Sequence, residues 1–273
     1  MIFLEAKPIV EKIKSDIVAR VSGMSPKPRL AIVIVGESAP SKKFVEFKEA
    51  FAKSVGIETQ RYELPADIST NNLRERMRDI VHESRNSGVI VQLPLPKHID
   101  TQAILNAIIP EKDVDVLSAR AVGNVSVGKS RIMPPVAGAV KLLLEHYGVE
   151  VLGKKITVVG RGRLVGQPVA MWAMRAGAVV TVLHGADQVN HEMLGDADIV
   201  VSGLGSPRVI TGDIVKDTVA VIDVGTSEDG GLLVGDVDQE SVSKKASHLT
   251  PPVGGVGPLT VALVFQNLLT LTE

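Results

Sequence analysis

The sequence predicts an α/β protein of two domains, and three observations carry that prediction. The chain has 273 residues, more than one average domain and short for three. Hydrophobic residues make up 45% of it and aromatics only 3%, so the core must be built from Val, Ile, Leu and Ala, the composition of parallel strands buried on both faces. Short β-branched runs alternate with helix-periodic stretches along most of the chain, which is the order that builds doubly wound sheets.

In residues 8–21 the apolar side chains Ile9, Val10, Ile13, Ile17, Val18 and Val21 recur at helical spacing, and the Gly- and Pro-containing 22–28 stretch ends that helix. Residues 30–35 (LAIVIV) form a continuous apolar run expected of a strand covered on both faces, followed by a turn at 36–41 and a helix over 42–55. A strand at 58–64, a helix at 71–83 capped by Ser69 or Thr70, and a strand at 88–93 continue the alternation. Residues 99–108 read as helix, 110–115 as a loop, 118–131 as a polar irregular stretch and 135–146 as a helix with an apolar face. Alternation then restarts with strands at 156–159, 179–183, 199–202 and 220–224, a helix at 165–175 after the first of them, and a strongly apolar final helix at 259–271. The domain bounds expected from this pattern are 1–120 with 252–273 for one domain and 121–251 for the other.

Charge and composition remove several function classes. Lys plus Arg total 30 against 31 Asp plus Glu, with no dense basic run, so a nucleic-acid partner is not expected. With no cysteine there is no thiolate nucleophile and no Cys-based metal site, and the six histidines show no metal-ligand spacing. Glu5 and Pro8 interrupt the start before a signal-peptide core can form, and no apolar run approaches the roughly 20 residues of a membrane span. A cytoplasmic location without a membrane partner is the expectation.

The stretch ITVVGRGRLVGQPVA places Gly160, Gly162 and Gly166 between a hydrophobic strand and a helix, with Arg161 and Arg163 in the turn and Val165 before the third glycine. Such a turn lets backbone N–H groups at a helix N-terminus approach a pyrophosphate, whose charge the helix dipole favours. Read alone, a glycine turn is equally compatible with a tight bend that binds nothing. The second strand at its expected distance and the GSP at 205–207 after a later strand add to the reading of a Rossmann-like dinucleotide site. The second strand ends in His184, Gly185 and Ala186 rather than in the carboxylate that grips a ribose 2′-hydroxyl, so NADP is expected over NAD; Asp187 reaching back would restore NAD.

The other half contributes SKKFVEFK, where Phe44 and Lys48 are four apart and share a helix face. A lysine desolvated beside an aromatic face can lose its proton near neutral pH and serve as a base. A solvated lysine beside a core phenylalanine is the plainer alternative. VQLPLP at 91–96 brings Gln92 to the end of a buried strand, and KDVD at 112–115 offers two carboxylates, or simply surface charge.

Taken in order, the helix bearing Ser41, Phe44 and Lys48, QLPLP, PEKDVD, the GRG turn, VIDVG at 221–225, GDV at 235–237 and GGVGPLT at 254–260 resemble the bifunctional methylenetetrahydrofolate dehydrogenase and cyclohydrolase family. The resemblance implies a three-layer α/β catalytic domain, a Rossmann-like NADP-binding domain and a cleft between them. It implies oxidation of 5,10-methylenetetrahydrofolate with NADP and hydrolysis of the methenyl product to 10-formyltetrahydrofolate, by a homodimer. By the same resemblance Lys48 is the catalytic lysine and Gln92 its polar partner. Phe44, Asp115, Val253, Gly254 and Gly255 would meet the folate, and Thr226 the cofactor along with Gly160, Arg161, Gly162, Val165 and Gly166. The chain departs from the family pattern in having Phe44 for a tyrosine, Val116 for a glycine, Pro134–Val136 for Cys-Thr-Pro, Pro252 and Val253 in inverted order, and Gly162 for a serine. Two other readings compete: a monofunctional dehydrogenase of the same fold, NAD-linked in one version, and a non-catalytic dinucleotide-binding module.

Overall fold

The computed structural model describes residues 1–36, 39–229 and 232–273, with side chains outside 37–42 and 228–233. In chain order the first elements are β1 (Ile2–Phe3), α1 (Lys7–Ser22), β2 (Arg29–Val35), α2 (Ala39–Val55), β3 (Glu58–Leu64), α3 (Thr70–His82), β4 (Gly88–Val91), α4 (Thr101–Leu105), α5 (Ala119–Ser126) and α6 (Pro135–His146). There follow β5 (Lys155–Val159), α7 (Gly166–Arg175), β6 (Val179–Leu183), α8 (His191–Leu194), β7 (Ile199–Ser202), β8 (Ala220–Asp223), β9 (Ser227–Asp229), β10 (Leu232–Val234), α9 (Gln239–Val242), β11 (His248–Leu249) and α10 (Val256–Thr272). None of the described helices is long and apolar enough to cross a membrane.

The chain divides into two compact units, one of Met1–Val10 with Val136–Thr260 and one of Glu11–Pro135 with Val261–Glu273. The second holds a three-stranded parallel sheet in the order β3-β2-β4. Because side chains alternate along a strand, Ala31, Val33 and Val35 of β2 and Val89 and Val91 of β4 point to one face, where they pack with Leu73, Met77, Ile80 and Val81 of α3. Leu30 and Ile32 point to the other face and are fully buried as well. On that face a side chain at Gly88 would strike Leu268 of α10 and Val114, and Phe265 of α10 stacks on Phe51 of α2 with ring centroids 5.3 Å apart. Helices therefore cover both faces of the sheet, the three layers the family resemblance implies. Each large aliphatic side chain so buried contributes about 1.5–3 kcal/mol.

The first unit holds a six-stranded sheet in the order β1-β11-β8-β7-β5-β6, parallel throughout. From β5 the chain goes outward to β6 and then returns to β7 on the other side of β5, so the strand order reverses between β5 and β7. That reversal point, at the carboxyl ends of the strands, is where open α/β sheets bind ligands.

Several elements differ from the expectation. The helix over 42–55 begins at Ala39, with Pro40 in its first turn, a position proline tolerates; of the turn expected at 36–41, residues 37 and 38 lie outside the described residues, as does the Ser41 side chain. Instead of a helix over 99–108 there is α4, which Asp100 caps by accepting from the Ala103 N–H at 3.0 Å and which Asn106 ends. Asn106 then turns its side chain to accept from the Ala119 N–H at 2.9 Å. The stretch 118–131 contains α5, started by Ser118, whose hydroxyl accepts from the Ala121 N–H. The two-residue β1 joins Met1–Val10 to the six-stranded sheet: β1 pairs with β11, and the Tyr147 hydroxyl both donates to the Glu5 carbonyl and accepts from the Glu5 N–H. The other bounds of the two units fall at 135/136 and 260/261, the latter inside α10.

Candidate active site

In the three-stranded unit, α2 carries Phe44 and Lys48 one turn apart, with Phe44 exposed and Lys48 half-buried. Gln92 follows the last residue of β4, and its N–H donates to the Val33 carbonyl at 2.8 Å, which continues the sheet and fixes where its side chain starts. The Gln92 amide donates to the Leu93 carbonyl at 3.1 Å, leaving Oε1 to accept from Lys48 Nζ at 3.0 Å. Burial pushes the Lys48 pKa below the ordinary lysine value, and the nearby Asp115 carboxylate pulls the other way. For Asp115 burial again dominates, raising it to about 6, with Lys48 lowering it and Asp113 raising it further. Desolvation thus acts on both partners to favour their neutral forms.

The two carboxylates of KDVD have different work. Asp113 is 1% exposed and accepts from the Leu117 N–H at 3.1 Å and the Ser118 N–H at 2.8 Å. It ties off the turn that presents Asp115. Lys112 donates to the carbonyls of Val81 and Glu83 at 2.7 and 3.1 Å, satisfying orphan acceptors at the C-terminus of α3. From α10, Asn267 donates to the carbonyls of Val114 and Met133 at 2.9 and 2.8 Å. Neither carboxylate is plain surface charge.

Val116, next in the turn, has φ +58°, a left-handed conformation that costs a β-branched residue about 1–2 kcal/mol. Its side chain is buried with Ala121 and Ile132, and Val125 and Leu271 pack against them. Burial gains about 1.5–3 kcal/mol, enough to hold the strained backbone. Val116→Ala would keep the strain and lose the packing, whereas Val116→Gly would lose the packing and the strain together. Urea unfolding is expected to find the glycine variant more stable than the alanine variant by about 1 kcal/mol, the reverse of their usual order; alanine above glycine would contradict the strain.

In the six-stranded unit the glycine turn follows β5. Gly160 has φ +98°, and a Cβ there would lie 2.9 Å from the Gly203 carbonyl oxygen. A Cβ at Gly166 would fall 1.9 Å from the Gly160 oxygen, so only glycine lets α7 start this close to the turn. Gly162 has open space around it and no unusual φ; the turn itself does not demand a glycine there. Val165 is the residue before α7 and no side chain caps this helix; in its first turn the Gln167 N–H donates to the Gly162 carbonyl at 3.0 Å and Pro168 has no N–H. Arg161 is exposed, its guanidinium 3.4 Å from His184 Nε2. Asp187 folds back on Gly185, where a Cβ would meet its carboxylate oxygen at 2.6 Å. Thr226 is exposed in the loop after β8. Val253 is 88% exposed, Gly254 has φ +88° with open space around it, and Gly255 abuts Thr250 immediately before α10.

Two family descriptions match this chain: the catalytic domain of tetrahydrofolate dehydrogenase/cyclohydrolase over residues 4–115, and the NAD(P)-binding domain of the same enzymes over residues 134–273. The chain belongs to the tetrahydrofolate dehydrogenase/cyclohydrolase family. A bifunctional protein FolD of Geotalea uraniireducens is 39% identical over 97% of this chain and 96% of its own length. The crystal structure of the bifunctional FolD from Campylobacter jejuni superposes with a TM-score of 0.94 at 33% identity, covering 100% of this chain and 98% of that one. The Trypanosoma brucei FolD, solved with NADP and an inhibitor, gives 0.93 at 34% identity over 100% and 97%.

Within this family fold the structure brings Lys48, Gln92 and Asp115 together in one unit and Gly160, Arg161, Val165 and Gly166 around the start of α7 in the other. Sequence reasoning missed Asn267 and assigned no role to the acidic pair Asp223 and Asp236, which lie in the VIDVG and GDV segments. Asp236 is fully buried and Asp223 half-buried; the Asp223 carboxyl is raised to about 6 by burial and by the neighbouring Asp236, against hydrogen bonds from the N–H groups of Asp236, Val237 and Gly225. The glycines beside them, Gly225 and Gly235, are the available signal: a Cβ at either would strike the other segment's carboxylate.

Proposed function

We propose that this chain oxidises 5,10-methylenetetrahydrofolate to the methenyl form with NADP and then hydrolyses that product to 10-formyltetrahydrofolate. The observation that carries the reading is the hydrogen bond from a desolvated Lys48 to Gln92 beside Asp115, within the catalytic domain of the family. Asp115 is assigned to hydrogen-bond donors on the pterin ring, Phe44 to stacking on the folate, and Val253, Gly254 and Gly255 to the same ligand.

The nicotinamide cofactor, when bound, supplies the hydride acceptor. The turn before α7, in which Gly160 and Gly166 are packed too closely for a side chain, suits its pyrophosphate, and Arg161 suits an added phosphate. Hydride loss from a carbon held between two nitrogens leaves a cation that those nitrogens stabilise, so this step requires orientation more than a base. Hydrolysis requires both. Water adds to the methenyl carbon while neutral Lys48 Nζ takes its proton. Lys48 then returns a proton to N5 as the carbon–N5 bond breaks, and the added hydroxyl gives its hydrogen to the freed Lys48 amine, which releases it to solvent, and becomes the formyl oxygen. Gln92 Oε1 holds Nζ in place throughout.

Asp187 on Gly185 favours a second reading of the cofactor, NAD, because it sets a carboxylate just beyond the second strand of the dinucleotide fold. Purified protein assayed with each cofactor in parallel is expected to reduce NADP, faster than NAD, and only when methylenetetrahydrofolate is present. NAD reduced in preference would assign Asp187 to the ribose, and reduction of neither would refute the reading. A homodimer, seen in solution as twice the chain mass, and a cytoplasmic location belong to the same proposal.

A further inference from the structure

We infer that Asp236 is a positioning residue for the cofactor site, holding the loop after β7 against the glycine turn; the inference rests on the proposed NADP-dependent reading of that site. The Asp236 carboxylate is fully buried and takes three hydrogen bonds from one stretch of chain: from the Ser202 hydroxyl at 2.6 Å and the Leu204 N–H at 2.8 Å on one oxygen, and from the Ser206 N–H at 2.7 Å on the other. Ser202 ends β7, so these bonds fold residues 203–206 back over the end of their own strand. That loop is what the glycine turn leans on, since a Cβ at Gly160 would meet Gly203 and Leu204 backbone atoms at 2.9–3.2 Å. A Cβ at Gly203 would in turn strike Val165, the residue before α7. On its other side the carboxylate fills the place of a Cβ at Gly225, one residue before Thr226.

Asp223 secures Asp236 itself. Its oxygens accept from the N–H groups of Asp236 at 3.2 Å, Val237 at 3.0 Å and Gly225 at 2.9 Å. Contacts therefore run without a break from Asp223 through Asp236 and residues 203–206 to Gly160, and all of them lie in the six-stranded unit. Lys48, Gln92 and Asp115 lie in the other.

This arrangement predicts that cofactor binding and hydrolysis come apart. An asparagine presents one acceptor and one donor where the carboxylate presents two acceptors, so at least one of the three donors loses its partner. Asp236→Asn is expected to weaken NADP binding about fivefold or more, the least that leaving a buried polar group unpaired is worth. Hydrolysis of added methenyltetrahydrofolate without cofactor should stay within about twofold. The readouts are NADP titration by protein fluorescence and decay of methenyl absorbance, on protein that melts cooperatively. Ser202→Ala removes one donor and spares the carboxylate; it decides the matter if Asp236→Asn does not fold, with an expected loss of about threefold in NADP affinity. Unchanged NADP affinity in a folded variant, or hydrolysis falling as far as cofactor affinity, overturns the inference. Wild-type protein that binds no NADP would instead refute the proposed function.

Discussion

Replacing Lys48 with alanine is expected to slow hydrolysis of methenyltetrahydrofolate by about 10²–10⁴, the usual contribution of a positioned general base, while NADP affinity stays unchanged. The reason lies in where the ammonium sits. Burial drives Lys48 towards its neutral form and Gln92 accepts one of its hydrogens, so the base is both available and aimed. Lys48→Arg should fail to rescue, because a guanidinium remains protonated at any working pH. Methenyl absorbance followed without cofactor measures the step alone. Hydrolysis within a few-fold of wild type in Lys48→Ala would remove the lysine from the chemistry.

The second large effect is on folate binding. With its pKa raised to about 6, Asp115 is ionised above that pH and protonated below it. If the carboxylate accepts hydrogen bonds from the pterin, kcat/KM for methylenetetrahydrofolate in the dehydrogenase step, which needs no base, should be level above about pH 6 and fall about tenfold per pH unit below it. Asp115→Asn should raise the folate KM at pH 7 by about 10–150-fold, the worth of a charge-assisted hydrogen bond, and erase the acidic limb. Asp115 also opposes the fall in the Lys48 pKa. Its neutralisation should therefore lower that pKa further and let the base operate at lower pH. A pH–rate profile from 5 to 8 on both proteins checks each sign; an acidic limb that survives in Asp115→Asn would place the titrating group elsewhere.

What could be read from sequence follows from how far each signal reaches along the chain. The LAIVIV run is legible as β2 because every residue in it is apolar, which suits burial on both faces, and the helices at 7–22 and 70–82 declare themselves by periodicity and, for the latter, by the Ser69 cap. The two-residue strands β1 and β11 carry no pattern, and only their pairing across the chain defines them. Helix α5 was hidden by its polar composition and by Gly123, although Ser118 is a fair cap. Among chemical groups, Phe44, Lys48, Gln92 and the glycine turn belong to short motifs. The burial of Asp113 and the clasp of Asp236 on residues 202–206 depend on segments that come together only in the fold. An aspartate beside glycines reads as an exposed loop until the glycine is seen to leave room for a carboxylate.

The central claim is that one chain performs two consecutive steps on one folate. Supplying methylenetetrahydrofolate and NADP, and following NADPH and methenyl absorbance together in one sample, tests it most directly. The account predicts that NADPH accumulates while the methenyl signal stays well below it and 10-formyltetrahydrofolate appears. Methenyl accumulating in step with NADPH, and decaying only at the rate seen without protein, would contradict it.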